Sequence, residues 1–319
     1  MKKLITVVAG EPNSINSEII GKTWIKFKNK EYIFVIGNYL LIKKQINKIG
    51  LKINIVRINS ITEIKDKKNL YILDIPLKFN SIFRNKSAHT KNYVLNSLNT
   101  AHYLAHTNQI NGFINTAIDK KIFNNKFLGV TEYLASKNKV ANDEVMMIYN
   151  KKFSVVPLTT HLEIKNITSK IKPDLIKKKI ITLNKAYYKI FNKKPKIVIL
   201  GLNPHNSENR INSIENKIIK PMIKKLKTLN IDVKGPFPAD TIFDKQKKIG
   251  YNVVVGMYHD QVLAPFKALF GFDAINITLG LKYLRISPDH GTAQDIIGLN
   301  KANPHSLITA IKFLKKFND

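Results

Sequence analysis

Two apolar patterns alternate along this chain. Short, nearly continuous apolar runs at Leu4 to Ala9, Ile33 to Gly37, Gly112 to Thr116, Glu144 to Tyr149, Phe153 to Leu158, Lys196 to Leu200 and Asn252 to Met257 read as buried strands. Between them lie longer, lysine-rich stretches with apolar residues three and four apart. These predict amphipathic helices over Asn92 to Asn108, Lys170 to Asn192, Glu208 to Asn230 and about His305 to Phe317. In the helix from Glu208 the apolar face is Ile211, Ile214, Ile218, Ile219, Met222 and Leu226. Such alternation is the signature of βα units around a largely parallel sheet, so the predicted class is α/β. No internal repeat and no Gly/Ser/Pro-rich linker interrupts it, so two domains would interleave their segments or hinge through ordinary loops.

Composition narrows the function. With 319 residues, 44% hydrophobic and 24% charged, the chain can bury a real core and is not disordered. It has no cysteine, which excludes disulfide scaffolds, thiolate zinc sites, iron–sulfur ligation and a catalytic thiol. Any metal must sit on His, Asp or Glu. The formal net charge of +31 is large enough to suggest a nucleic-acid binder. However, the lysines are scattered, and 47 Ile and 35 Asn share their A/T-rich codon bias. Nucleic acid is therefore not expected as the main partner, although the charge attracts anionic substrates in general. Met1-Lys2-Lys3 and the apolar run behind it imitate a signal peptide, but no small-residue cleavage site follows, and no apolar stretch is long enough to span a bilayer. A soluble cytoplasmic protein is expected.

In parallel α/β folds, ligands bind beyond the carboxyl ends of strands. Three histidines stand there: His161 after Phe153 to Leu158, His205 in Gly201-Leu202-Asn203-Pro204-His205, and His259 after Asn252 to Met257. Three imidazoles on one rim could hold a divalent ion and leave a position open for substrate, although each could equally close a loop or bond a carbonyl. A second cluster, Asp289-His290-Gly291-Thr292-Ala293, has the glycine and threonine of a tight turn before a helix. It could present backbone N–H groups to a nucleotide, or be no more than a turn glycine and an N-cap. No G-x-G-x-x-G follows any strand, so a Rossmann site has no support.

These segments, with Gly10-Glu11-Pro12, Pro238-Ala239-Asp240-Thr241, Met257-Tyr258-His259-Asp260-Gln261, Asn276-Ile277-Thr278-Leu279-Gly280-Leu281 and Arg285, resemble the 4-hydroxythreonine-4-phosphate dehydrogenase family of pyridoxal phosphate (vitamin B6) biosynthesis. The likeness covers essentially the whole chain. It implies an isocitrate/isopropylmalate-dehydrogenase-like fold in which two α/β domains flank a cleft. Residues 1–130 with 275–319 would form the cofactor-side domain, and 131–274 the metal, substrate and dimerisation domain. It also implies a homodimer whose active site is completed at the subunit interface, with the metal on His161, His205 and His259, one of them supplied by the partner subunit. The implied reaction is NAD-dependent oxidation of 4-phosphohydroxy-L-threonine to a 3-oxo acid that decarboxylates to 3-amino-2-oxopropyl phosphate. A divalent ion, zinc, magnesium or cobalt, would acidify the hydroxyl and polarise the new ketone. The resemblance places Thr131, Lys267, Asn276 and Arg285 at substrate contacts. Asp240 and Lys267 are the catalytic candidates, with Asp240 as proton acceptor, orienter of the lysine or plain N-cap. Gly291, Thr292 and Ala293 are expected at the cofactor, NAD or NADP in its place.

The chain departs from the family pattern in three places. Val130 stands where the family has a substrate-contacting histidine, the glycine-rich opening is Asn13-Ser14-Ile15-Asn16-Ser17, and Asp119 replaces a polar residue before Lys120. Val130 keeps open a related dehydrogenase acting on 4-phosphoerythronate or phosphothreonate. The charge keeps open a basic nucleic-acid-binding protein on an inactive dehydrogenase fold.

Overall fold

The structure is a computed structural model; it describes residues 3–83, 89–124, 126–271 and 273–318, apart from the side chain of Lys247. Met1 and Lys2 of the signal-like opening lie outside the described residues. The chain divides into two compact units, residues 1–130 with 282–319, and 131–281.

The first unit begins with β1 (Leu4–Val8), α1 (Asn16–Phe27), β2 (Tyr32–Gly37), α2 (Tyr39–Lys48), β3 (Ile55–Ile58), β4 (Leu70–Asp74), α3 (Thr90–His106) and β5 (Gly112–Asn115). The chain returns to it with β12 (Leu284–Pro288) and α11 (His305–Asn318). Its strands lie in the order β3-β4-β2-β1-β5-β12 and run parallel throughout. The central strands are apolar on both faces because helices cover both sides of such a sheet. Phe34 and Phe113 are fully buried, and Trp24 of α1 packs into the same unit at 2% exposure. At the end of β1, Gly10 turns at φ +66, and a Cβ there would lie 2.5 Å from the carbonyl oxygen of Ala117, so only glycine fits.

The second unit runs from α4 (Val130–Lys137) through β6 (Val145–Tyr149), β7 (Ser154–Thr159), α5 (Ile164–Lys170), α6 (Pro173–Phe191), β8 (Ile197–Leu200) and α7 (Lys220–Thr228). It continues with β9 (Val233–Phe237), α8 (Ala239–Ile242), α9 (Gln246–Ile249), β10 (Val253–Tyr258), α10 (His259–Phe270) and β11 (Ile275–Leu279). The order is β11-β6-β7-β10-β8-β9, with β6 antiparallel to both neighbours and β7, β10, β8 and β9 parallel. The core under β10 is aromatic: Phe153 meets Tyr251 edge-on at 5.4 Å and Phe266 at 5.7 Å between ring centroids.

The expected α/β class is what the chain adopts. Two predicted helices change. The Lys170 to Asn192 helix is broken, because Lys172 precedes Pro173 and is extended at φ −120, ψ 154, so α5 stops at Lys170 and α6 starts at the proline. The Glu208 to Asn230 helix does not begin at Glu208. Residues 205–208 are left-handed, helix starts only at a π-helical turn, Glu215–Ile219, and Ile211 of the predicted apolar face is 87% exposed. Asn, Ser and Glu side chains in this stretch bond to nearby backbone and to one another, in competition with helix.

Candidate active site

In the second unit, β7, β10 and β8 bring their carboxyl ends to one edge, with Tyr258 paired to Thr159 and Val255 to Ile199. His161 follows β7 and His259 opens α10, so the register sets them side by side. Their ring centroids are 5.8 Å apart, tilted by 36°. His259 Nδ1 lies 2.6 Å from Oδ1 of Asp260. A carboxylate only accepts, so Nδ1 carries a proton, and in the neutral ring Nε2 is then the nitrogen with the lone pair, the arrangement a metal-ligating imidazole uses. The two rings, Thr159, Tyr258, Leu162 and Ile164 line an open cavity of about 220 Å³. This donor chemistry fits a divalent ion.

His205 is exposed and lies on a separate loop. Among the described residues no three His, Cys, Asp or Glu converge to hold a metal. One chain thus brings two of the three histidines together. The His205 loop has an unusual backbone: His205, Asn206, Ser207 and Glu208 all sit at φ between 48 and 56. Left-handed L-residues cost roughly 1–2 kcal/mol each, Asn least. The side chain of Glu215, itself buried, sits inside the turn: Oε1 accepts from the N–H of Leu202 (3.0 Å) and Asn203 (2.9 Å), and Oε2 from the Ser207 hydroxyl (3.0 Å). Burial pushes the Glu215 carboxyl up, but these donors outweigh it and hold the group below the usual carboxylate range. Asn206 donates to the Pro236 carbonyl oxygen at 3.1 Å. Its Oδ1 packs where a Cβ on Gly201 would come within 2.1 Å. Gln261 ties the base of the loop to α10, donating to the Gly201 carbonyl oxygen (2.7 Å) and accepting from the Met257 N–H (2.7 Å).

The first unit's carboxyl edge is tightly cross-bonded. Asn16 donates to the carbonyl oxygens of Ala9 (2.9 Å) and Ala117 (2.8 Å), and buried Arg285 donates through Nε to Asn115 Oδ1 at 2.6 Å. In the Asp289-to-Ala293 segment the N–H of Asp289 bonds to Ser306 Oγ (2.7 Å), and Thr292 accepts from the Ile15 N–H (3.2 Å). The helix expected after this turn is only a 3-10 turn, Gln294–Ile296, entered through Ala293 at φ 45, so Thr292 is not its N-cap. Burial lowers the His290 pKa, while the Gly291 carbonyl and Asp289 oppose the shift. In the neutral ring Nδ1 donates to the Gly291 carbonyl oxygen at 2.9 Å, which leaves Nε2 a buried acceptor that meets no donor among the described residues. A Cβ on Gly291 would meet nothing within 4 Å. The unsatisfied Nε2 and, separately, the open space at Gly291 are the two features of this segment that suit a hydroxyl- or amide-bearing cofactor.

Other site positions are more dispersed. Asn276 lies on β11, and its buried Oδ1 has no hydrogen-bond partner among the described residues, which suits a substrate N–H or O–H. Lys267 is exposed on the last turn of α10, and Thr131 is half-buried on the first turn of α4 beside Val130. Asp240 is exposed on the first turn of α8, whose N-cap is Pro238, so the N-cap reading of Asp240 fails. Asp260 and Gln261 stand in the quoted Met257-to-Gln261 motif without a role assigned to them, and Glu215 stands in none of the quoted motifs. The first adjoins His259 in the chain and could have been suspected, whereas Glu215 is indistinguishable there from a surface position of the predicted helix.

Fold and site together define an α/β protein whose polar residues gather beyond the carboxyl ends of parallel strands in each unit. The family profile of pyridoxal phosphate biosynthetic protein PdxA matches residues 29–314, and the chain belongs to this family. It is 35% identical over 317 residues to 4-hydroxythreonine-4-phosphate dehydrogenase of Sulfurihydrogenibium sp. (strain YO3AOP1), covering 97% of this chain and 96% of the relative. With the Aquifex aeolicus (strain VF5) protein of the same name it shares 33% over 327 residues, covering 100% and 99%. The crystal structure of 4-hydroxythreonine-4-phosphate dehydrogenase from Klebsiella pneumoniae superposes with a TM-score of 0.89 at 27% identity, covering 100% of this chain and 98% of that one. A terephthalate 1,2-cis-dihydrodiol dehydrogenase from Burkholderia xenovorans LB400 shares the fold at a TM-score of 0.67 and 20% identity, over 98% of each chain.

Proposed function

We propose that this chain is a 4-hydroxythreonine-4-phosphate dehydrogenase that oxidises 4-phosphohydroxy-L-threonine with NAD as a homodimer dependent on a divalent metal. The observation that carries this reading is the His161–His259 pair with its tautomer fixed by Asp260, in a chain of this family. When bound, a divalent ion would supply Lewis acidity at the substrate hydroxyl and a nicotinamide would supply the hydride acceptor.

The residues do the rest. His161 and His259 supply two ligands from one subunit, and His205 of a second copy supplies the third. Ile164, 79% exposed near His161, and Ile211, 87% exposed just past the His205 loop, are apolar surface that a second copy would cover. Arg285 and Lys267 bind the anionic groups of the substrate, Asn276 accepts from its amino or hydroxyl group through Oδ1, and Thr131 adds a hydroxyl contact. Asp240 takes the proton from the hydroxyl oxygen as hydride leaves the carbon that bears it, and the resulting 3-oxo acid loses carbon dioxide to give 3-amino-2-oxopropyl phosphate. Gly291, Thr292 and Ala293 border the cofactor, so the first unit is the cofactor side and the second the metal and dimerisation side.

Val130 favours one other reading, a dehydrogenase of 4-phosphoerythronate or phosphothreonate, because valine cannot donate to a phosphate or carboxylate. Measuring NADH formation from all three substrates decides. Highest kcat/KM with 4-phosphohydroxy-L-threonine supports the proposal; preference for either other acid replaces it.

A further inference from the structure

We propose that Glu215 is a positioning residue for metal binding: its carboxylate holds the left-handed turn that presents His205. This inference rests on the reading of His205 as a metal ligand. An L-residue chain does not hold five successive residues at positive φ, His205 to Asn209, without outside support. Here the support comes from one helix start. Glu215 receives two backbone N–H groups ahead of His205 and the hydroxyl of Ser207 behind it, so its two oxygens bracket the histidine. Asn216 donates to the carbonyl oxygens of Asn209 (2.6 Å) and Arg210 (2.8 Å), and Lys220 to Asn209 Oδ1 (2.8 Å), closing the far end of the turn. The helix that supplies these groups starts in π form, an irregularity that recurs at functional sites. A buried side chain that accepts from both sides of an exposed histidine, without touching solvent itself, is placed to fix the histidine's direction and not to react.

The test is Co2+ binding by the intact protein without substrate, followed by chelator competition and by the visible absorption band of the bound ion. Glu215→Ala should weaken Co2+ binding on the order of 10–100-fold and alter the band. Glu215→Gln keeps an amide oxygen for the Leu202 and Asn203 N–H groups and should stay within about threefold of the native protein. Glu208→Gly added to Glu215→Ala should recover part of the loss, because glycine adopts the left-handed turn without strain. A folded Glu215→Ala protein with native affinity and band overturns the proposal. Should that variant not fold, Ser207→Ala answers instead: weakened binding supports the proposal and unchanged binding overturns it. His205→Ala separates the two levels. If it binds Co2+ normally, the metal-ligand reading itself fails; if it loses Co2+ while Glu215→Ala does not, only the positioning role fails.

Discussion

At the carboxyl ends of β1, β5 and β12 the segments are tied to one another, with Asn16 bonded to the carbonyl oxygens of Ala9, Glu11 and Ala117 and Arg285 at 3% exposure on Asn115, whereas beyond β7 and β8 the histidines stand out on strained backbone. His161 and His205 both have positive φ, 52 and 48, and both are exposed. The difference teaches that the first edge is held mainly by bonds within one chain, whereas the second leaves its imidazoles exposed, as the proposed closure by a second copy requires. A cross-bonded edge suits a large cofactor that must find its site preformed. Exposed imidazoles beside exposed Ile164 and Ile211 suit a metal site closed by another copy.

The largest expected effect breaks the second edge. His161→Ala or His259→Ala should abolish most metal binding and lower kcat/KM by about 10³-fold, since the Lewis acid contributes several kcal/mol. Bound metal by elemental analysis and initial rates check this, and NADH binding should stay native because the other edge is untouched. Next, Arg285→Lys should raise KM for substrate roughly tenfold or more at unchanged Co2+ affinity, because a lysine has neither the Nε–H that bonds Asn115 nor the planar guanidinium that pairs an anionic group. A change in Co2+ affinity instead would erase the distinction between the edges. Smaller still, Val130→His should change kcat/KM with 4-phosphohydroxy-L-threonine by less than about tenfold, because other donors replace the missing histidine. The smallest effect concerns the first edge. Burial raises the Glu11 carboxyl above its ordinary 4.5, opposed by the Asn13 N–H and reinforced by Asp119. The folded state therefore binds this proton more tightly than the unfolded chain, and stability falls as pH rises through the raised value. Glu11→Gln should raise Tm at about pH 8, and the gap should close near about pH 4; a gap that persists in acid would show that burial of the charge is not its cause.

Much of this was legible because a parallel strand ends abruptly in polar residues. That signal alone makes His161, His205 and His259 candidates, and the register of β7 with β10 puts two of them together. Strand β9, at the end of its unit's strand order, was hidden because Gly235 and Pro236 interrupt its short apolar run. Helix α10 was hidden by Pro265 in its interior. The left-handed turn was illegible for a deeper reason: Ile211 and Ile214 keep helical spacing with Ile218, so periodicity extended the helix backward over residues whose side chains compete for the backbone. Glu215 shows its role only through burial, which no local pattern encodes.

Complementation between two inactive variants tests the central claim most directly. His205→Ala and His161→Ala proteins, each inactive alone, are mixed, dissociated and reassociated, and NADH formation is measured. If His205 completes the metal site of a second copy, each mixed dimer regains one intact site, and random pairing should restore about a quarter of native activity. Activity no greater than the sum of the separate variants would contradict the shared site.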